Sequence, residues 1–312
     1  MHVEQAVAPM TRAAPWLGVL RPRFLLLALS CVALGVALAL QGRAADAAFL
    51  RDALLALLGA LAAHAGVNAL NEYSDFRQGL DQQTRRTPFS GGSGTLVAYP
   101  QYAGLTLGVG LGCVAICAGI GGYFLYRQPE LIVSLAPIGA LGLALVLAYT
   151  PWLTRRPWLC LLAPGLGFAL VVLGTQRVLG GPFDAGAWLV SAVVFFLCNN
   201  LLLLNQFPDL DADRAVGRRT LPMLLGCSAA VRVLVIQWAL AYAVLALALA
   251  LGGPHAGAAL GLLGLPLAVR AGWLLRVPHD PARLLPALGL NVAVAVLTPA
   301  LMALGLLLTR LF

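Results

Sequence analysis

Apolar residues in this chain do not alternate with polar ones. They run together in long stretches, and the charged residues collect in the short segments between them. An α-helix rises about 1.5 Å per residue and needs about 20 apolar residues to cross a hydrocarbon layer ~30 Å thick. On that scale the pattern predicts nine membrane-spanning helices, at about 23–41, 48–71, 96–122, 131–150, 158–176, 187–207, 228–252, 255–275 and 285–309. The seventh and eighth are the least distinct pair, parted only by Gly252-Gly-Pro-His255. Continuous Leu, Ala, Val and Gly runs exclude a membrane β-barrel, whose strands alternate. The first run is preceded by a stretch containing Pro15 and Trp16 and is followed by no small-x-small cleavage site, so it is expected to stay as a helix rather than act as a removable signal.

Composition agrees with a membrane-embedded chain: 61% of the 312 residues are hydrophobic and 10% are charged, against about 25% charged in an ordinary soluble domain. The net charge is +8, and every basic side chain is Arg. A basic balance in a soluble protein would suggest nucleic acid. Here the arginines follow topology instead. Arg43, Arg51, Arg127, Arg177 and Arg310 fall in one set of alternate loops, and the other fifteen of the 20 fall in the opposite set. The positive-inside rule then places the N-terminus and the Arg-rich loops in the cytoplasm, with no nucleic-acid partner and the lipid bilayer as surroundings. Arginine without lysine, with abundant Ala and Gly, suggests a GC-rich bacterial gene and hence a bacterial inner membrane. The six cysteines lie mostly within or at the ends of apolar runs, with no His or carboxylate set beside them. They read as small buried residues rather than a disulfide framework or zinc site.

Against this background two polar stretches stand out. Asn68-Ala-Leu-Asn-Glu-Tyr-Ser-Asp75 closes the second apolar run and continues to Asp81; Asn205-Gln-Phe-Pro-Asp209-Leu-Asp-Ala-Asp213 closes the sixth. Both carry Asn-x-aromatic-x-Asp and both lead into Arg-rich loops, which reads as an internal repeat. The sixth span comes four after the second, an even step, so both copies point the same way. Residues three or four apart share a helix face. His64, Asn68, Asn71 and Asp75 form one such row, and Asn205, Asp209 and Asp213 form another, with Pro208 expected to kink the sixth span or sit in its last turn. Glu72 and Asp211 lie off these rows and read as solvated loop acids. Ionisable groups near membrane depth are costly and usually face a cavity or an ion. Two facing carboxylate clusters repel unless a hard divalent cation sits between them, and carboxylate and amide oxygens suit Mg²⁺, often together with substrate phosphate oxygens. Arginines in the same loops would hold further phosphate oxygens. A cation-coupled carrier is the competing class, although its carboxylates would be expected at the bilayer midplane rather than at span ends.

At these motifs the chain resembles the intramembrane UbiA-type prenyltransferases. The resemblance implies an all-α fold of nine transmembrane helices around a central cavity open to the cytoplasmic side. Residues 1–22 would form a cytoplasmic N-terminal segment and 23–312 a single transmembrane domain. It implies Mg²⁺ held by Asp75, Asp81, Asp209 and Asp213, with Asn71 and Asn205 coordinating or orienting. The partners implied are an isoprenyl diphosphate and an aromatic acceptor. Arg155, Arg156, Arg218 and Arg219 would contact the diphosphate, and Asn68 and His64 would line the pocket, His64 either against the acceptor or hydrogen-bonded within the bundle. Asn71-x3-Asp75-x5-Asp81 with Gly79 between, and Phe207-Pro-Asp-Leu-Asp-Ala-Asp213, look more like the 1,4-dihydroxy-2-naphthoate branch of menaquinone biosynthesis than like the 4-hydroxybenzoate branch. Homogentisate, another aromatic acceptor or a terpene-cyclase reaction remain alternatives, as do the tail length and the oligomeric state. Two departures from the family pattern are Glu72, where Asp is frequent, and the glycine-rich stretch Gly91-Gly-Ser-Gly94, which would either present N–H groups to an anion or make a tight turn into the third span.

Overall fold

A computed structural model of the chain describes residues 15–84 and 86–311. Arg12 and Arg85, two of the arginines counted above, lie outside the described residues. Nine helices long and apolar enough to cross a membrane occur among those described, and no strand is present. The spans follow the apolar pattern with shifts at several ends, the third running Pro100–Arg127 rather than 96–122. The first begins at Pro15, as two short 3-10 turns leading into α1 (Leu25–Ala39). The second, α2 (Ala47–Arg77), runs a turn and a half beyond residue 71 and so keeps Asp75 on the helix. The sixth stops at Asn205, short of residue 207.

Two short helices follow α2: α3 (Leu80–Gln83) and α4 (Thr95–Ala98). The third to fifth spans contain α5 (Ala103–Arg127), α6 (Ile132–Ala148) and α7 (Pro157–Val178). The sixth is α8 (Ala185–Asn205), followed by short α9 (Leu210–Ala215) and α10 (Leu221–Leu225). α11 (Cys227–Ala250) is the seventh. The eighth is half 3-10 helix (Gly253–Gly264) and half α12 (Leu265–Leu274), and α13 (Pro281–Leu311) is the last.

The two helices that carry the polar motifs begin alike. Asp46 caps α2 by accepting the Phe49 N–H at 2.7 Å, and Asp184 caps α8 by accepting the Ala187 N–H at 2.8 Å. A carboxylate there satisfies donors that the helix start leaves free and complements the helix dipole. Each motif helix is thus pinned by an Asp at one membrane face and carries its polar row to the other.

α8 is the centre of the bundle. Of its apolar window 61% is buried, against 11% for α5 and for α6, which face outward. α8 packs on α7, α11 and α13, while α1 packs on α2, α7 and α13. Because lipid tails are as apolar as leucine, association here depends on close packing and polar ties rather than on escape from water. Pro164 interrupts the α7 hydrogen-bond ladder, and the Gly165 N–H turns instead to Asn199 Oδ1 of α8 at 2.9 Å. A close backbone approach joins the 3-10 half of the eighth span to α13. A Cβ on Gly257 would run into the Gly305 carbonyl, and one on Gly305 into the Gly257 carbonyl.

Gly305→Val should therefore lower stability by roughly 1–3 kcal/mol through overpacking. The readout is the thermal unfolding midpoint in detergent. An unchanged midpoint would mean that the eighth and ninth spans do not approach this closely.

Candidate active site

α2 carries the first polar row intact. His64, Asn68, Asn71 and Asp75 all lie on its continuous helix and all line cavities at one end of the bundle. The helix ends at Gln78, and Gly79, with φ of 72°, reverses the chain in the left-handed region that favours glycine. α3 then starts at once and presents Asp81, which is 3% exposed. The five-residue gap between Asp75 and Asp81 is thus the length of one reversal.

The second row is built differently from the single helical face expected. α8 ends at Asn205, residues 206–209 form a turn around Pro208, and Asp209 becomes the residue that opens α9. Proline has no N–H to offer the ladder, so the break falls beside it. The Asp213 N–H donates to the Asp209 carbonyl at 2.8 Å, so the spacing of four holds within α9 itself. Asp213 is buried, whereas the Asp211 side chain is fully exposed and pairs with Arg214 at 3.2 Å.

The two motifs meet in one polar pocket, lined among others by Asn71, Asp75, Asp81, Asn205, Asp209, Asp213, Arg21 and Arg218. Arg218 joins them. Its Nη1 donates to Asp213 Oδ1 at 3.1 Å, and its Nη2 donates to Asp75 Oδ1. Asn71 Nδ2 donates to the other Asp75 oxygen at 2.8 Å, while Thr150 Oγ1 donates to Asn71 Oδ1 at 3.0 Å. Asp81 Oδ2, Asp209 Oδ1 and Asn205 Oδ1 are buried without a hydrogen-bond donor. Such unsatisfied oxygens are costly unless an ion or ligand completes them.

Burial pushes the Asp81 carboxyl up to about 7, with the charges of Glu72 and Asp75 adding to it. Burial does the same to Asp209, also to about 7, with Asp213 adding to it. Burial raises Asp213 as well, although Arg218 pulls against it. Burial alone would lower Arg218, but Asp75 and Asp213 outweigh it and hold the guanidinium above its usual value. Among the described residues no three His, Cys, Asp or Glu side chains close around one point. Each motif instead offers a pair of carboxylates, and each pair includes one carboxylate with an orphaned oxygen. That donor set fits hard divalent cations that take their remaining ligands from another molecule.

The polar pocket opens into a cavity of about 670 Å³, and the two share Asn71, Tyr149, Leu202 and Asn205. The cavity runs between α2, α5, α6, α7 and α8 as far as Phe124, Leu135 and Val178, with an overwhelmingly apolar wall. His64 lines it, edge-on to Phe168 with ring centroids 5.0 Å apart, and its Nδ1 has no partner. Asn68 also lines it and donates to the Leu20 carbonyl at 3.1 Å.

Arg155, Arg156 and Arg219 are not brought to this place. All three are exposed and none lines the polar pocket. The Arg219 backbone N–H donates to the Thr154 carbonyl at 3.0 Å. Arg21, which topology alone accounts for in the sequence, does line the pocket, from a left-handed backbone with φ of 49°. Glu72 is a correction. Rather than a solvated loop acid, it is fully buried; it accepts from the Ser93 N–H at 2.9 Å and from Ser93 Oγ at 2.6 Å, and it pairs with Arg21 at 3.5 Å. One face of α2 therefore lines the pocket, and the neighbouring residue ties down the wall. In that wall Gly92 has φ of 74°, and a Cβ on it would lie 2.7 Å from Asp81 Oδ1, so only glycine lets the loop close over the carboxylate.

Residues 27–293 match the UbiA prenyltransferase family. The chain is 28% identical over 310 residues to the 1,4-dihydroxy-2-naphthoate octaprenyltransferase of Escherichia coli (strain K12), covering 96% of this chain and 97% of that protein. A protein of the same name from Bacillus subtilis (strain 168) is 28% identical over 184 residues, covering 56% of this chain and 55% of that one. In fold the chain is similar to a UbiA homolog from Archaeoglobus fulgidus bound to GPP and Mg²⁺, with a TM-score of 0.66 at 15% identity over 92% of this chain and 99% of that one. It is also similar to the apo UbiA homolog from Aeropyrum pernix K1, with a TM-score of 0.66 at 19% identity over 92% of this chain and 98% of that one.

A carboxyl raised to about 7 keeps its proton at lower pH and must lose it before it can ligate a cation. Divalent-cation affinity should therefore climb with pH up to neutrality, by about tenfold per unit for each proton released, and level off above it. Calorimetric titration with Mn²⁺ across pH 5.5–8 checks this, and a flat profile would mean that neither Asp81 nor Asp209 is a ligand.

Proposed function

The chain belongs to the UbiA prenyltransferase family, and from that premise we propose that it transfers a prenyl group from an isoprenyl diphosphate to 1,4-dihydroxy-2-naphthoate. The observation that carries this reading is the junction of two unlike spaces: an acidic pocket with orphaned oxygens, opening through Asn71, Tyr149 and Asn205 into an apolar cavity. A prenyl diphosphate has the same two halves. The match to a naphthoate octaprenyltransferase along nearly the whole chain supports the acceptor.

In this reading Asp75, Asp81, Asp209 and Asp213 would hold Mg²⁺, with Asn71 and Asn205 orienting the carboxylates beside them. When bound, Mg²⁺ would supply positive charge that favours the departure of the diphosphate. Arg21 and Arg218 offer N–H donors to the same oxygens. The diphosphate leaves with the bonding electron pair, and the allylic carbon bonds to the electron-rich ring. The ring regains aromaticity by losing a proton or carbon dioxide from the attacked carbon. The apolar walls house the tail and keep water from the electron-poor carbon. By the positive-inside rule the Arg-rich loops support a pocket mouth at the cytoplasmic face of a bacterial inner membrane.

The test is turnover in nanodiscs, with geranyl, farnesyl and longer diphosphates offered alongside 1,4-dihydroxy-2-naphthoate, 4-hydroxybenzoate or homogentisate, with and without Mg²⁺. Prenylated naphthoate that disappears with chelator is the expected result. Product with another acceptor alone would overturn the naphthoate reading, and diphosphate release without any prenylated ring would point to cyclisation. Asp75→Ala and Asp209→Ala should each lower turnover by about 100-fold or more. Asp211→Ala, on the solvent side of α9, should change it little, and equal losses at Asp209 and Asp211 would contradict the geometry.

A further inference from the structure

We infer that Arg218 is the built-in counter-ion of both acidic motifs, and that diphosphate, by drawing its guanidinium away, raises the affinity of the cation sites. The inference rests on the cation–diphosphate reading above and adds a coupling to it.

The argument starts from which oxygens are already used. Asp75 has a donor on each oxygen, Arg218 Nη2 on one and Asn71 Nδ2 on the other. Asp213 Oδ1 is held by Arg218 Nη1 at 3.1 Å. Asp81 Oδ2 and Asp209 Oδ1 have no donor at all. Each motif thus has one carboxylate neutralised by Arg218 and one left open. Asp75 and Asp213 are buried and Arg218 is largely shielded, with side-chain exposures of 5%, 6% and 12%. In so shielded a place a guanidinium and a divalent cation on the same carboxylate repel strongly. One of the two must give way.

The backbone of Arg218 is in no position to move far. Its N–H donates to the Asp213 carbonyl at 3.0 Å, and the next N–H, of Arg219, donates to the Thr154 carbonyl at 3.0 Å. The exchange therefore falls to the side chain. Its Nε is a buried donor without an acceptor, so the present arrangement leaves part of the fork unused. A diphosphate offers several oxygens to a planar fork at once and suits it better than two carboxylates on different helices. Cation and diphosphate then bind with positive coupling, each raising the affinity for the other by the same factor.

The experiment uses the full chain in nanodiscs and titrates Mn²⁺ alone, inorganic diphosphate alone, and each in the presence of the other, read by electron paramagnetic resonance and calorimetry. For the wild type we expect diphosphate to raise Mn²⁺ affinity at least tenfold. Arg218→Gln should bind Mn²⁺ alone at least threefold more tightly than the wild type, bind diphosphate more weakly, and lose most of the coupling. Arg218→Lys keeps the charge without the fork, so its affinity for Mn²⁺ alone should stay near wild type while the coupling falls. Thermal midpoints establish folding, and if Arg218→Gln does not fold, Arg218→Lys decides. Arg218→Gln binding Mn²⁺ alone no more tightly than the wild type, or Arg218→Lys retaining full coupling, would overturn the inference while leaving the site reading intact. A wild type that binds no Mn²⁺ even with diphosphate would overturn both.

Discussion

Four carboxylates sharing one small pocket at the end of an apolar bundle repel one another, and partial or full burial makes each costly to keep charged. Asp75, Asp81, Asp209 and Asp213 are in that position, and the surrounding structure is arranged to contain it. Arg218 offsets two of them directly. The fully buried Glu72 is held by Arg21 and by two donors from Ser93. What remains uncompensated is concentrated on Asp81 and Asp209, whose carboxyls are raised to about 7. A structure selected for stability alone would not keep those two acids. Their orphaned oxygens point to a function that needs a cation and a highly charged substrate.

The fold supplies this arrangement with two copies of one device. α2 and α8 each begin on an Asp cap and carry, near the other end, the Asn that opens Asn-x-aromatic-x-Asp. They solve the last step differently. The first motif keeps its Asp on the helix and turns at Gly79 to place Asp81; the second breaks at Pro208 and puts both its acids on α9. Both breaks leave the acids lining the same polar pocket.

Affinity for a charged group and for a long apolar one are opposite demands, and the molecule meets them by adjacency. The polar pocket and the apolar cavity share a narrow set of residues, Asn71 and Asn205 among them. These amides carry no charge and can turn a donor or an acceptor toward either side. The N-terminal stretch completes the junction, since the Leu20 carbonyl holds Asn68 and the next residue, Arg21, lines the polar side.

The sequence by itself determined the nine spans, the position of the two motifs at span ends, and the face of α2 on which His64, Asn68, Asn71 and Asp75 lie. These follow from local physics: the length of an apolar run against bilayer thickness, and the spacing of four along a helix. It also separated Asp211 from Asp209 and Asp213 by that spacing alone, and the exposed Asp211 side chain agrees. Only the tertiary structure decided which arginines meet the acids. Arg155, Arg156, Arg218 and Arg219 are alike in sequence, each a basic residue in an Arg-rich loop, yet Arg218 alone among them reaches the pocket. Its partner Asp75 lies 143 residues away. The burial of Glu72 and the closure of Gly92 over Asp81 depend in the same way on chain segments that meet only after the helices pack. Local patterns are written in neighbouring residues; the pairing of charges across the bundle exists only once packing has removed the water between them.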